Sequence, residues 1–372
     1  MKMALSFGFV ALLLTGRGIA QDEASPPYKV KDITPAGYEE FNLFGAAGGQ
    51  LVGWGRTQFP LPAIGMLWKN HGMSFTTLPV PAGYTAAYVI GTSGTRQAGI
   101  TYFREINDHA CIWEGTTFRD INPYVDGISG ATDITGDIVT GYVQRTGVRY
   151  HAFLWNLATN TQVDLNPAGV SASWAHAGTA TQQGGAVYSA SAAVGGSNGH
   201  AALWSGTPES YVDLHTDTLI GTSVRGMAVG EQVGEGQTEA SDFRALLWHG
   251  TAESIVDLTP AGSVASAQDT NGSVQVGWAR WPSQFGHAIA WFGSADHYID
   301  LHALLPGYTY SAAFAIDDDG TIYGVAWDGS YHDRVVMWTP VPEPSVALLG
   351  FATLLARRRG FYSGRDPVAI VS

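Results

Sequence analysis

Seven short segments ending in tryptophan recur along this chain: IGMLW (64–68), HACIW (109–113), HAFLW (151–155), HAALW (200–204), RALLW (244–248), HAIAW (287–291) and RVVMW (334–338). From Trp68 to Trp338 the mean spacing is 45 residues. Self-similarity at such a period means that each unit is one supersecondary element whose faces are buried only against its neighbours. Two further markers keep step. A glycine lies 14 residues before the tryptophan in five units (Gly99, Gly141, Gly234, Gly277 and Gly324), with Gly53 and Gly195 read as displaced copies. An aspartate follows nine residues on at Asp164, Asp213, Asp257 and Asp300, and seven on at Asp120.

The stretches between the markers alternate and are rich in β-formers, as in SVQVGWA (273–279) and TIYGVAW (321–327), and no sustained helical period interrupts them. Asn271-Gly272, Asp319-Gly320, Glu114-Gly115 and Ser205-Gly206 supply turn chemistry between them. Each unit therefore reads as four short strands, and four strands at this period are the signature of propeller blades. The seventh unit stops at Trp338 without its Asp-Leu strand, while an unpaired copy, Lys29 to Gly37, stands at the start. The expected architecture is an all-β, seven-bladed β-propeller over residues 28–340, closed by an N-terminal strand that completes the last blade. Closure removes a sheet edge that would otherwise template aggregation. The HAFLW and Asp-Leu markers resemble the HAF-repeat family of extracellular proteins; the resemblance implies an exported propeller-like domain and brings no activity with it.

The two ends point to export. Lys2, an apolar run from Met3 to Leu14 and small residues at Gly18-Ile19-Ala20 form a secretory signal peptide over residues 1–20. Residues 341–360 contain Val341-Pro342-Glu343-Pro344-Ser345, an apolar run to Ala356 and Arg357-Arg358-Arg359. This run of eleven residues falls short of the roughly 20 of a spanning helix, so a transient anchor is expected rather than a permanent span. The three-part order resembles the PEP-CTERM sorting signal. The resemblance implies cleavage near Pro344 by a membrane transpeptidase, and delivery to the cell surface or extracellular matrix of a Gram-negative bacterium. Residues 361–372 extend beyond the usual end of such signals. Formal net charge is −13, which excludes nucleic acid as a partner because phosphate binding draws on clustered Lys and Arg.

Repetition also sorts the residues that invite a chemical reading. Cys111 sits where the other units carry Met66, Phe153, Ala202, Leu246, Ile289 and Val336, so a buried core thiol is expected. His109, His151, His200 and His287 share one repeat position, which points to a structural hydrogen bond to a neighbouring blade rather than to one metal. The repeated aspartates, Asp32 included, are expected to cap the turn into the next blade. Asp317 and Asp319 belong to an acidic cluster found in one unit only. They are the residues a metal would use first, but a tight turn supplies about three of the six to eight oxygens of a Ca²⁺ site. No metal or cofactor is therefore expected. Phosphate loops and His-Glu-x-x-His are absent.

The candidate ligand contacts are aromatic and Arg residues in the loops between the second and third strands: Trp281, Phe285, Phe59, Tyr331, Arg280 and Arg56. Aromatic faces with polar neighbours suit sugar rings. The function expected is a non-enzymatic protein that binds or organises envelope or extracellular polysaccharide. A carbohydrate-active hydrolase or lyase on the propeller scaffold, and a protein–protein interaction scaffold, are the alternatives.

Overall fold

In the computed structural model, residues 27–342 are described apart from 59–60, 104–106, 125, 190–197 and 330–332. The signal segment, the sorting run from Glu343 onward and the C-terminal extension lie outside the described residues. Seven four-stranded antiparallel sheets form the blades: residues 40–77, 84–120, 128–164, 172–213, 221–257, 264–300, and 310–340 joined by Tyr28–Asp32. Blades are numbered in that order, and strands within each run from inner to outer. Three single-turn 3₁₀ helices, Pro208–Ser210, Ala252–Ser254 and Leu301–Leu304, are the helical elements among the described residues, none long and apolar enough to cross a membrane.

The last blade closes as expected. Tyr28–Asp32 pairs antiparallel with Asp333–Pro340, Tyr28 opposite Pro340 and Asp32 opposite Val336. Blade 7 thus takes its outer strand from one end of the body and its other three from the opposite end. The alternating chain direction divides the loops between two faces. Second-to-third loops and the connections between blades emerge on one face, called here the connection face. Inner-to-second and third-to-outer turns emerge on the other, the turn face.

All seven repeat tryptophans are buried, between 0% and 2% exposed. Five of them also donate their indole N–H to a backbone carbonyl of the preceding blade: Trp68 to Ile33, Trp113 to Pro79, Trp155 to Ile121, Trp248 to Leu214 and Trp338 to Leu301, at 3.0–3.2 Å. One side chain therefore fills the space between blades and makes a polar tie across it. Cys111 lies fully buried beside Val52, Leu67, Val89 and Trp113, between blades 1 and 2, and burial pushes its thiol well above the usual range.

The repeated aspartates perform two tasks. One carboxylate oxygen accepts the backbone N–H two residues on at Asp32, Asp120, Asp164, Asp213, Asp257 and Asp300, which caps the turn into the next blade. The other meets the repeat histidine of its own blade: His109–Asp120 at 2.6 Å, His151–Asp164 at 2.8 Å, His200–Asp213 at 3.0 Å and His287–Asp300 at 2.9 Å. The histidine bond therefore stays within the blade instead of crossing to its neighbour, because the outer strand brings Asp beside the start of the third strand. The crossing bond is made one residue later. Ala110, Ala152, Ala201 and Ala288 each donate a backbone N–H at 2.9 Å to a buried hydroxyl on the next inner strand: Ser129, Ser173, Thr222 and Ser311.

Candidate functional site: the central channel

Each inner strand breaks register at the same place. The breaks fall between Leu43/Ala46, Val89/Gly91, Ala131/Asp133, Ala175/Ala177, Val224/Gly226, Ala267/Asp269 and Ala313/Ala315. A bulge leaves a residue unpaired and bends its strand. The bend explains the repeated glycine, which pairs on the second strand with the residue before the break. An added Cβ at Gly53, Gly99, Gly141, Gly185, Gly234, Gly277 or Gly324 would lie only 1.9–2.2 Å from a carbonyl oxygen of the bulged strand. No side chain fits there. In blade 4 this residue is Gly185, opposite Ala202. Gly195, the sequence-based choice, lies outside the described residues; a longer second-to-third loop displaces the marker.

The residues left unpaired by the breaks are Phe44, Ile90, Thr132, His176, Arg225, Gln268 and Phe314, with Gly45 also unpaired in blade 1. All seven line a central cavity of about 1000 Å³. The ring is two-sided. Phe314, Phe44 and Ile90 make an apolar arc from blades 7, 1 and 2. Thr132, His176, Arg225 and Gln268 make a polar arc from blades 3 to 6. The polar arc is wired to the scaffold: Arg225 donates to Glu235, Glu235 accepts from Ser266 at 2.9 Å, and Ser266 accepts from Gln268 Nε2 at 2.7 Å. Thr132 donates to the Ala175 carbonyl at 2.8 Å.

His176 stacks on Trp174, itself stacked on Tyr150 at 5.1 Å and set against Tyr142 at 4.4 Å between ring centres. Burial pushes the His176 imidazole down to about 3, so it stands in the channel wall as a neutral donor and acceptor. Arg225 is the one Lys or Arg among the described lining residues, and Glu235 balances it.

Two carboxyls also sit in the wall. Asp133 accepts from Ile134 N at 2.7 Å and from Gly178 N of the next blade at 2.8 Å. Asp269 accepts from Thr270 N at 2.8 Å and from Ile316 N of the next blade at 3.0 Å. Burial deep in the ring pushes Asp133 up to about 6 and Asp269 up to about 7, against the lowering pull of these backbone donors. Both oxygens of each carboxyl hold backbone, so the pair acts first as inter-blade staples.

Of the residues expected from sequence to contact a ligand, the four described ones, Trp281, Phe285, Arg280 and Arg56, stand on the connection face, and none of these four lines the channel. Trp281 packs inward, its N–H 3.3 Å from the Ala261 carbonyl and its ring edge-on to His287. Arg56 pairs with Glu40 at 3.2 Å and covers the Trp54 ring. Phe285 is 57% exposed and meets Trp327 edge-on; Arg280 is exposed. Phe59 and Tyr331 lie outside the described residues. Sequence reading did not point to the bulge ring because its seven members carry six residue types. The one signal pointing to them was the repeated glycine, which marks the strand opposite each bulge.

No protein-family model matches this chain, and no curated protein matches it. Solved structures do. The β-propeller domain of the Trilobed protease from Pyrococcus furiosus aligns with a TM-score of 0.56 at 8% identity, over 82% of this chain and 94% of that one. An oligogalacturonate lyase in complex with manganese aligns at 0.52 and 12% identity, over 86% and 95%. Puromycin hydrolase aligns at 0.53 and 10%, over 79% of this chain and half of that one. The propeller fold is shared. At these identities the likeness carries fold and no chemistry.

Proposed function

We propose that this chain is an exported, non-enzymatic glycan-binding protein of the cell envelope or matrix, and that it takes its ligand in the central channel. The two-sided bulge ring carries this reading. A sugar ring has an apolar face and hydroxyl edges; Phe44, Ile90 and Phe314 suit the first, and Thr132, His176 and Gln268 suit the second. The balanced Arg225–Glu235 pair favours a neutral glycan over an anionic one. Export rests on the signal peptide, and surface delivery on the Pro-Glu-Pro segment with cleavage by a sorting transpeptidase. The enzymatic alternative, a hydrolase or lyase, draws support from Asp133 and Asp269, but their backbone bonds favour a structural role for both.

The test is binding of the purified chain to an array of neutral and acidic polysaccharides, with turnover measured on every hit. Retention of neutral glycans without cleavage is expected, weakened about tenfold in Phe44→Ala/Gln268→Ala, since 1.4 kcal/mol is a factor of ten. Cleavage that vanishes in Asp269→Asn would move the hydrolase or lyase reading ahead.

A further inference from the structure

We propose that the seam between blades 7 and 1 is a binding site for one first-row divalent transition ion, with His71, Asp317 and Asp319 as its protein ligands. His71 stands on the third-to-outer turn of blade 1; Asp317 and Asp319 stand on the inner-to-second turn of blade 7. Ring closure brings these turns together across about two-thirds of the chain. One imidazole nitrogen and one oxygen of each carboxylate then lie within 4.8 Å of one another. The acidic pair alone is an ordinary turn, and the imidazole from another blade converts it into a mixed nitrogen–oxygen donor set.

The surroundings orient each ligand. The Tyr323 hydroxyl lies 3.3 Å from His71 Nδ1, which leaves Nε2 toward the carboxylates, 3.7 Å from Asp319 Oδ2. An outer hydrogen bond of this kind is how ligating histidines are generally held. Asp319 uses its other oxygen to accept Thr321 N at 2.9 Å. Asp317, buried to 2% exposure, is fixed by Gly48 N at 3.0 Å on Oδ1 and Gly49 N at 2.6 Å on Oδ2. A carboxylate oxygen has two acceptor directions, so Oδ2 retains one for an ion. Gly49 also keeps the space open: a Cβ there would lie 3.2 Å from His71 Nε2.

One nitrogen and two carboxylates suit Zn²⁺ or Mn²⁺ rather than Ca²⁺, which takes six to eight oxygens. Bonds of about 2.1 Å set tetrahedral ligand atoms roughly 3.4 Å apart. His71 and Asp319, both about half-exposed, close that gap by side-chain rotation while Asp317 stays put, and water completes the shell.

The experiment uses the full, untagged chain after chelator treatment, titrated by calorimetry and thermal shift with ZnCl₂, MnCl₂ and CaCl₂ in parallel. One Zn²⁺ or Mn²⁺ per chain is expected, with a saturable rise in melting temperature. His71→Gln and Asp319→Asn, at exposed positions that leave the fold intact, should each weaken binding at least tenfold. His287→Ala, at a histidine on the connection face, should leave it unchanged. Absence of saturable Zn²⁺ or Mn²⁺ binding overturns the proposal. So does binding that survives the His71→Gln/Asp319→Asn double variant, or Ca²⁺ binding as tight as that of either transition ion.

Discussion

Between neighbouring blades, the same tryptophan returns seven times; around the channel, the seven bulge residues are of six types, with only the adjacent Phe314 and Phe44 alike. The joints repeat tryptophan in all seven blades, and in four of them a buried hydroxyl and a double-duty aspartate, because every blade must meet the next at the same angle. The bulge residues run Phe44, Ile90, Thr132, His176, Arg225, Gln268, Phe314. Packing fixes what the joint must contain, whereas the bulge needs only to project something inward. Repetition in this chain marks architecture, and departure from repetition marks the ring where we propose that a ligand is read.

Mutations can break or sharpen that contrast. The largest effect belongs to the joints and the closure. Deleting Tyr28 to Gly37 removes the outer strand of blade 7 and the Ile33 carbonyl that receives the Trp68 indole. The melting temperature should fall by more than 10 °C, on the scale of about 2–4 °C per kcal/mol for domains of 150–250 residues. An unchanged melting curve would remove the closure from the account. Trp155→Ala and Trp248→Ala should each cost about 3–5 kcal/mol in chemical denaturation, with glycan affinity per folded molecule unaltered.

Gly141→Ala should come next, at about 2–4 kcal/mol, because its Cβ would meet the Gly130 carbonyl oxygen at 1.9 Å. Gly115→Ala, where nothing lies within 4 Å, should cost about 1 kcal/mol through its positive φ alone. Equal costs at the two positions would mean that the bulge relaxes, and that the glycine is not its counterpart.

The carboxyl staples give a pH signature of middle size. Asp269, held near 7, and Asp133, near 6, keep protons in the folded protein that the unfolded chain, with values near 3.9, has already lost. Their contribution is full below about pH 4 and disappears as pH rises through 6 to 7. Neutral His176 acts oppositely, since below about pH 6.5 only the unfolded chain gains its proton. Comparison with Asp269→Asn isolates the carboxyl. From pH 5 to pH 8 the unaltered chain should lose on the order of 2 kcal/mol relative to that variant. A pH-independent difference would mean that Asp269 is already ionised at pH 5.

The smallest stability effect is expected in the channel ring. Thermal and chemical unfolding of Gln268→Ala should shift by less than about 1 kcal/mol, while glycan binding weakens about threefold, part of the loss expected of the double variant with Phe44→Ala. Phe285→Ala, on the connection face, should change neither. If Phe285→Ala weakens binding and Gln268→Ala does not, the ligand sits on the loops and not in the channel.

The sequence by itself determined the blade number, the four-strand unit, the buried tryptophans and Cys111, and the closing strand, because each is repeated and repetition is visible along a line. The aspartate caps were legible for the same reason. The bulge, the direction of the histidine bond and the meeting of His71 with Asp317 and Asp319 were decided only by tertiary structure. A bulge depends on how two strands pair, and no residue type announces it; the glycine opposite is its one trace. The blade 4 marker was misplaced because counting from Trp204 cannot see a lengthened loop. A channel wall draws one residue from each of seven blades at a mean spacing of 45 residues, and the His71–Asp317–Asp319 cluster joins turns more than 240 residues apart. Both become neighbours only when the ring closes, since closure is what turns distance along the chain into contact.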